Sequence, residues 1–202
     1  MAGWYSRLAD VPQTEYAVRT VDRTKLALIG LRPERGDEIN GETYYWWPVG
    51  KHGSTSASPV QQHGVGKAWP KTPAALLRRI DEVLELPGTP SDYHFFLQAA
   101  IEELWKFRAS APDVLPEVER LAWLDLRLVT SAADPAASHN EGERSAFGVR
   151  AFSLLKRLYL LNGDLEGAWQ VEQHARRHGQ QNDVTMDEIH TRLLAEANAT
   201  LV

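Results

Sequence analysis

The sequence predicts an α+β protein, in which a small N-terminal antiparallel β-sheet of about three strands packs on a mainly helical region of about six helices. Two observations support this class. Short strand-like apolar runs precede Pro70, whereas apolar residues recur at three- and four-residue spacing after it. We therefore expect a β-rich region in residues 1–70 and a helical region in residues 71–202.

Three segments are predicted to form the sheet. Residues 15–21 alternate roughly between polar and apolar side chains, and residues 25–31 form a short apolar run. Asn40-Gly41 is a dipeptide favoured in two-residue hairpin turns, and it precedes the third predicted strand, residues 43–47. We expect Pro48 to end this strand because proline lacks the N–H that a strand ladder uses.

The segment after the third strand, residues 50–67, is expected to be a loop. It is rich in Gly, Ser and Gln and shows no periodicity. Connections longer than about 15 residues are uncommon in compact domains and are usually functional or disordered. We therefore expect these residues to be mobile and to lie on the surface.

Capping residues give the expected helix boundaries. Thr72 begins the first helix and Asp164 begins the fifth, because their side-chain oxygens accept N–H groups of the first turn. Gly179 ends the fifth helix, and Thr185 with Glu188 forms a capping box at the start of the sixth. The six helices are predicted at residues 73–86, 91–109, 115–130, 143–161, 165–178 and from 185 onward.

Charge is distributed unevenly along the chain. The net charge is −5, yet residues 43–80 contain five Lys or Arg and no Asp or Glu, so the remainder carries −10. A skew of this kind indicates what a surface attracts rather than how the chain folds. We expect residues 43–80, the acid-free segment, to face an anionic partner.

Four consecutive aromatic residues open the acid-free segment. Strand alternation places Tyr44 and Trp46 on one face and Tyr45 and Trp47 on the other. Exposed aromatics beside a cationic loop are typical of surfaces that hold single-stranded nucleic acid or other planar anions. The alternative is that one pair packs against the helices while the other shields the sheet. The candidate ligand-binding residues are Tyr44, Trp46, Lys51, His52, His63, Lys67 and Trp69.

No catalytic motif, metal site or cofactor motif is recognised. Gly66-Lys67 lacks the earlier glycine and the following Ser or Thr of the Walker pattern, because Gln61 and Ala68 occupy those positions. His174 and His178 lie one helical turn apart, but two arginines separate them. We interpret these histidines as positive side chains at a helix C-terminus. Whether the chain is an enzyme stays open, and a binding role is favoured.

Residues 151–175 resemble one tetratricopeptide repeat. Phe152, Leu155 and Tyr159 match the family's aromatic, leucine and tyrosine positions on a first helix, and Ala168 and Ala175 match small positions on a second. The resemblance implies helix pairs that stack into a curved layer and bind a peptide or a protein. It implies no catalysis. An ordinary αα-hairpin is the alternative interpretation.

Three positions depart from the repeat pattern, one of them Gln180, where a proline is common. Lys156 stands where the family usually has a small residue, and Glu172 stands where it has a large apolar one. No second copy occurs upstream, since the repeat offset of about 34 residues places Asp125 opposite Tyr159. We expect Glu172→Ala to cost little stability.

These inferences predict a cytoplasmic protein-binding or adaptor protein that uses a helical-repeat-like surface. The alternative is a ligand-binding or enzymatic module that holds an anionic small molecule or single-stranded nucleic acid at residues 44–71. The sequence has no cysteine, which fits a cytoplasm and rules out disulfides. It has no signal-peptide pattern and no apolar run near the ~20 residues of a membrane span, so no membrane partner is expected. The sequence does not indicate an oligomeric state.

Overall fold

The structure, a computed structural model, describes residues 34–39, 42–49, 53–65, 68–86, 88, 90–130, 149–180 and 184–200. By its internal contacts the chain forms two compact units, Met1–Ala137 and Ser138–Val202. The first unit contains a three-stranded antiparallel sheet and three α-helices, and the second contains three α-helices, all counted over the described residues. The predicted α+β class with a small sheet is confirmed. The predicted division near residue 70 stays a prediction.

The sheet has the strand order β1-β2-β3. Its strands are β1 (Glu34–Ile39), β2 (Glu42–Val49) and β3 (Gly53–Thr55). Ile39 pairs with Glu42, so β1 and β2 form the hairpin predicted at Asn40-Gly41. The strands predicted at residues 15–21 and 25–31 lie outside the described residues.

Pro48 does not end β2 as the sequence predicts. The strand continues to Val49, and Pro48 pairs with Ser54 of β3. The pairing with β1 reaches only as far as Glu34, which lies opposite Trp46. At Pro48, therefore, β2 has a described neighbour on one side only, which is a position that tolerates a missing N–H.

The loop predicted at residues 50–67 contains regular structure. Besides β3, it includes a short π-helical turn, Gln61–Val65. Ser58 and Val60 are buried, and the Ser58 hydroxyl accepts the Gln61 N–H at 3.2 Å. A Cβ atom on Gly64 would lie 2.5 Å from the Phe96 ring, so this turn packs closely on a helix. The prediction of a surface position is therefore wrong for residues 58–60 and for Gly64, whereas Gly53, Ser54, Ser56 and Gln61 are exposed as expected.

Three helices belong to the first unit: α1 (Pro73–Leu84), α2 (Pro90–Trp105) and α3 (Leu115–Thr130). The predicted cap of α1 is confirmed, because the Thr72 hydroxyl accepts the Ala75 N–H at 3.4 Å. α3 has the predicted bounds. The buried side chains of these helices include Leu76, Ile80, Phe96, Leu97, Leu104, Leu121 and Leu124.

The second unit contains α4 (Arg150–Leu161), α5 (Leu165–Arg177) and α6 (Val184–Thr200). Asp164 caps α5 by accepting the Gly167 N–H at 2.8 Å, and Gly179 follows the helix with φ of 66°, both as predicted. α6 begins at Val184, so Thr185 lies inside the helix and the predicted capping box is wrong. Of the start predicted for α4, residues 143–148 lie outside the described residues.

A buried ionic network joins the helices of the second unit. The Lys156 ammonium of α4 lies 2.6 Å from one oxygen of Glu172 on α5, whose side chain is completely buried. The Arg176 guanidinium lies 2.6 Å from the other oxygen and 2.8 Å from Asp187 of α6. Two of the three residues that depart from the repeat pattern, Lys156 and Glu172, therefore pair with each other, while the resemblance itself stays a prediction. No helix in the described part of the chain has the length and apolar character needed to cross a bilayer.

Candidate functional site

The aromatic stretch of β2 is partly exposed. Trp47 is 3% exposed, whereas the neighbouring Trp46 is 43% exposed and Tyr45 is 38% exposed. Since adjacent strand residues face opposite sides, the buried Trp47 identifies the inner face of the sheet and Trp46 projects from the outer face. Tyr44 lies in β2, but its side chain is outside the described part of the structure. The aromatic residues are thus not all used in the core.

Residues from all three strands share the outer face with Trp46. Glu34 of β1 lies opposite Trp46, and Ser54 of β3 lies opposite Pro48. Directly opposed residues of antiparallel strands project to the same side of the sheet. Glu34 and Ser54 are exposed, and Pro48 is half-buried. We call these four residues, Glu34, Trp46, Pro48 and Ser54, the outer sheet face.

The charge at the outer sheet face differs from the charge of the acid-free segment. The residue that pairs with Trp46 is an exposed glutamate from the preceding strand. Arg35 pairs with Tyr45 and therefore lies on the inner side, at the exposed end of that face. The acid-free segment is continuous in the sequence, but strand pairing places a carboxylate beside its exposed tryptophan.

Trp69, another predicted binding residue, is used in packing. The Trp69 ring stacks on the ring of Phe96 in α2, with the two centroids 5.9 Å apart. On its other neighbour, α1, the guanidinium of Arg79 lies 5.2 Å from the centroid of the Trp69 ring. The Trp69 side chain is half-buried. The structure therefore places Trp69 in a contact between α1 and α2, rather than on a surface prepared for a ligand ring.

Arg79 is committed to the backbone of the segment that precedes α1. Its guanidinium donates to the carbonyls of His63 at 2.7 Å, Gly64 at 3.2 Å and Ala68 at 2.6 Å. Burial lowers the pKa of Arg79, and the nearby Glu82 opposes this effect. Arg79, one of the five cations of the acid-free segment, thus has a structural role. His63, a predicted binding residue, takes part through its backbone carbonyl.

Three of the remaining predicted binding residues, Lys51, His52 and Lys67, lie outside the described residues. Lys71 precedes α1 and Arg78 lies within it, and both are exposed. Of the seven candidates, Trp46 alone combines a described side chain with an exposed position, so the outer sheet face is the part of the candidate site that the structure describes.

A buried polar pair links α2 to α3. His94 Nδ1 lies 2.6 Å from Asp125 Oδ1, and His94 Nε2 lies 2.7 Å from the amide nitrogen of Gln98. When Gln98 donates to Nε2, Nδ1 carries the proton and donates to Asp125. Burial raises the pKa of the Asp125 carboxyl, and the hydrogen bond from His94 opposes that rise. The side chains are 4% and 0% exposed, so this pair is closed to a substrate.

Sequence reasoning missed the His94–Asp125 pair because 31 residues separate its members. A signal was present in α3, where Asp125 falls on the apolar face defined by Leu121 and Leu128. A carboxylate at such a position needs a buried donor. Its partner is not evident from the sequence, since several polar residues of α2 have a suitable chemistry.

His174 and His178 pack around an aromatic ring at the C-terminal end of α5. Phe152 lies 5.6 Å from the His174 ring and 6.3 Å from the His178 ring, measured between centroids. Burial, followed by repulsion from His178 and Arg177, lowers the pKa of His174 to about 4. His174 is therefore neutral at pH 7, and its interpretation as a positive side chain is wrong.

The described residues contain no cluster of three or more His, Asp or Glu side chains with the geometry of a metal site. Comparison of this chain with protein-family models, curated proteins and solved structures finds no match.

Proposed function

We propose that this chain is a protein-binding module and that the outer sheet face is its contact surface. The observation that carries the proposal is the exposure of Trp46, which is 43% exposed at the centre of a three-stranded sheet. Tryptophan is enriched among residues that dominate the binding energy of protein interfaces. Its ring supplies a large apolar area with little side-chain entropy to lose.

The surroundings of Trp46 favour a protein over a nucleic acid. Glu34 is exposed on the same face and directly opposite the tryptophan. A base stacked on Trp46 would bring phosphate groups towards this carboxylate, and like charges at an interface are unfavourable. Ser54 and Pro48 complete a face with one large apolar anchor and a polar rim, which is the usual anatomy of a protein interface.

The helical surfaces support the proposal less strongly. Leu161 of α4 and Leu194 of α6 are exposed in the second unit. Single exposed apolar residues are normal on protein surfaces and need no partner. An adaptor role for the repeat-like helices stays a prediction, together with the expected cytoplasmic location.

Site-specific photo-crosslinking tests the proposal. A benzophenone amino acid replaces the exposed Ser54 on the outer sheet face, and a second variant carries it at the exposed Ser110, which lies after α2. We expect the probe at Ser54 to capture a defined protein in extracts of the native cell, and we expect Trp46→Ala to abolish that capture. The probe at Ser110 is the matched control.

Two results would contradict the proposal. One is capture at Ser54 that persists unchanged in the Trp46→Ala background, because the tryptophan would then not anchor the partner. The other is that Ser54 and Ser110 yield the same crosslinked species, as expected from random encounters. Circular dichroism of each variant confirms that the fold is retained.

A further inference from the structure

We infer that the partner segment bound by the outer sheet face is basic, with a Lys or Arg side chain placed over Trp46 and its charge directed towards Glu34. This inference rests on the proposed function and specifies the chemistry of the partner. It follows from the pairing of an exposed tryptophan with an exposed glutamate across two antiparallel strands.

Strand pairing brings the side chains of Glu34 and Trp46 together. Opposed residues in an antiparallel sheet have Cβ atoms ~4.5–5.5 Å apart, so the Glu34 carboxylate lies within side-chain reach of the Trp46 ring. A cation within about 6 Å of a tryptophan ring is attracted by the ring's negative face. A neighbouring carboxylate adds a second attraction at the same place. The pair therefore recognises a cation by two independent effects.

The hairpin that contains this pair is acidic in its sequence. β1 and the first residue of β2 contain four acidic residues, Glu34, Asp37, Glu38 and Glu42, against the single Arg35. Arg35 is opposite Tyr45 and so does not share the face of Trp46. The sequence of these two strands thus carries a net charge of −3 (one Arg against four acids), and complementary charge favours a positive partner.

The cation–ring contacts found among the described residues involve other tryptophans. Arg79 lies over Trp69, Arg108 over Trp105 and Arg176 over Trp169. Within this part of the chain no such contact involves Trp46, so its exposed ring is the one that a cation from a partner would meet.

Binding of two defined peptides to the full-length chain tests this inference. The first probe is a decapeptide of alternating Arg and Thr, which presents every arginine on one side when extended. The second is the matched peptide of alternating Glu and Thr. Fluorescence anisotropy of the labelled peptides measures the affinity, and single-stranded oligothymidylate provides a further anionic probe. We expect the Arg-Thr peptide to bind, with an affinity that falls as salt is added.

Variants locate the binding. Glu34→Arg reverses the charge beside Trp46, and we expect it to weaken Arg-Thr binding about tenfold at low salt. Glu188→Arg makes the same charge change at an exposed position of α6 and should leave the affinity nearly unchanged. Trp46→Leu keeps an apolar side chain but removes the ring face, and a loss of about two- to fivefold is expected.

Each contrary result overturns the inference. Equal weakening by Glu34→Arg and Glu188→Arg would show a general attraction to an acidic protein. Tighter binding of the Glu-Thr peptide or of oligothymidylate would show that the partner is anionic, as the acid-free segment suggests. Absence of Arg-Thr binding together with Trp46-dependent crosslinking at Ser54 would refute the basic partner while preserving the protein-binding function.

Discussion

At the scale of single residues, Glu172 has the largest expected effect on stability. Its carboxylate is completely buried and lies 2.6 Å from both the Lys156 ammonium and the Arg176 guanidinium. Removing one member of a buried ion pair leaves a charge in a medium that solvates it poorly. We therefore expect Glu172→Ala to lower the free energy of unfolding by about 3–5 kcal/mol, measured by urea denaturation. This replaces the small cost expected from the sequence.

A matched substitution and a double variant complete this test. Glu166→Ala changes an exposed glutamate in the first turn of the same helix, and it should alter stability by no more than about 0.5 kcal/mol. Replacing Lys156 and Glu172 together by methionine removes both charges and should recover much of the loss, because a buried pair often contributes little net stability. Similar losses for Glu172→Ala and Glu166→Ala would argue against the buried pair.

His174 gives the second prediction, which concerns pH. Burial and nearby positive groups lower its pKa to about 4 from the ordinary value of 6.5. Between these two values the unfolded chain binds a proton that the folded chain does not bind, so the free energy of unfolding falls as the pH is lowered from about 6.5 towards 4. We expect His174→Gln to make stability less dependent on pH between pH 7 and pH 5.

Urea denaturation at several pH values in this window measures the effect. The decisive quantity is the difference in slope between the original chain and His174→Gln, since titrating groups distant from His174 contribute equally to both. A variant that loses stability with falling pH as steeply as the original chain would show that His174 does not carry a lowered pKa.

At the scale of helices and strands, Ala168 tests the close packing of α4 and α5. Its side chain is completely buried on α5. A leucine there must displace neighbours in a packed interior, so we expect Ala168→Leu to lower stability by about 1–3 kcal/mol. Ala195→Leu adds the same atoms at an exposed position of α6 and should have little effect. Equal stability of the two variants would show that the packing between α4 and α5 accommodates a larger side chain at position 168.

Helix positions could be predicted from the sequence because local residues determine them. Thr72 and Asp164 supply caps that do not depend on distant contacts, and α1 and α5 begin where these residues predict. The capping box at Thr185 failed because the same pattern can occur inside a first turn. The segment that contains the buried Val60 was mistaken for a loop, since its close packing, such as that of Gly64 on Phe96 of α2, is a tertiary contact that composition does not reveal.

The candidate site was predicted only in part, for a similar reason. Alternation in β2 correctly separates Trp46 from Trp47, because side-chain direction in a strand is local. The charge next to Trp46 depends on strand register, which pairs it with Glu34 from outside the acid-free segment. Register is a tertiary property, and the sequence interpretation therefore did not place this carboxylate beside the tryptophan.

At the scale of the whole molecule, the contacts divide the chain at Ala137/Ser138, and the helices fall into two sets of three over the described residues. The sequence predicts a division near residue 70 instead. The two divisions predict different stabilities for a fragment of residues 71–202, because this fragment lacks the contacts that residues 63–69 make with the helices. Such a fragment lacks the His63, Gly64 and Ala68 carbonyls that accept from Arg79. It also lacks the Trp69 ring that stacks on Phe96.

Fragment stability distinguishes the two divisions. We expect residues 138–202 alone to unfold cooperatively, because the buried ionic network and the buried face around Ala168 lie within that segment. In residues 71–202 we expect α1 to α3 to unfold at lower urea than in the full-length chain, since Arg79 loses its acceptors while its aromatic neighbour is removed. Circular dichroism measures the loss of helix, and the fluorescence of Trp105 and Trp123 measures unfolding of the first unit. If residues 71–202 instead unfold in a single transition at the urea concentration of the full-length chain, the contacts before α1 contribute nothing essential, and the division near residue 70 is the correct one.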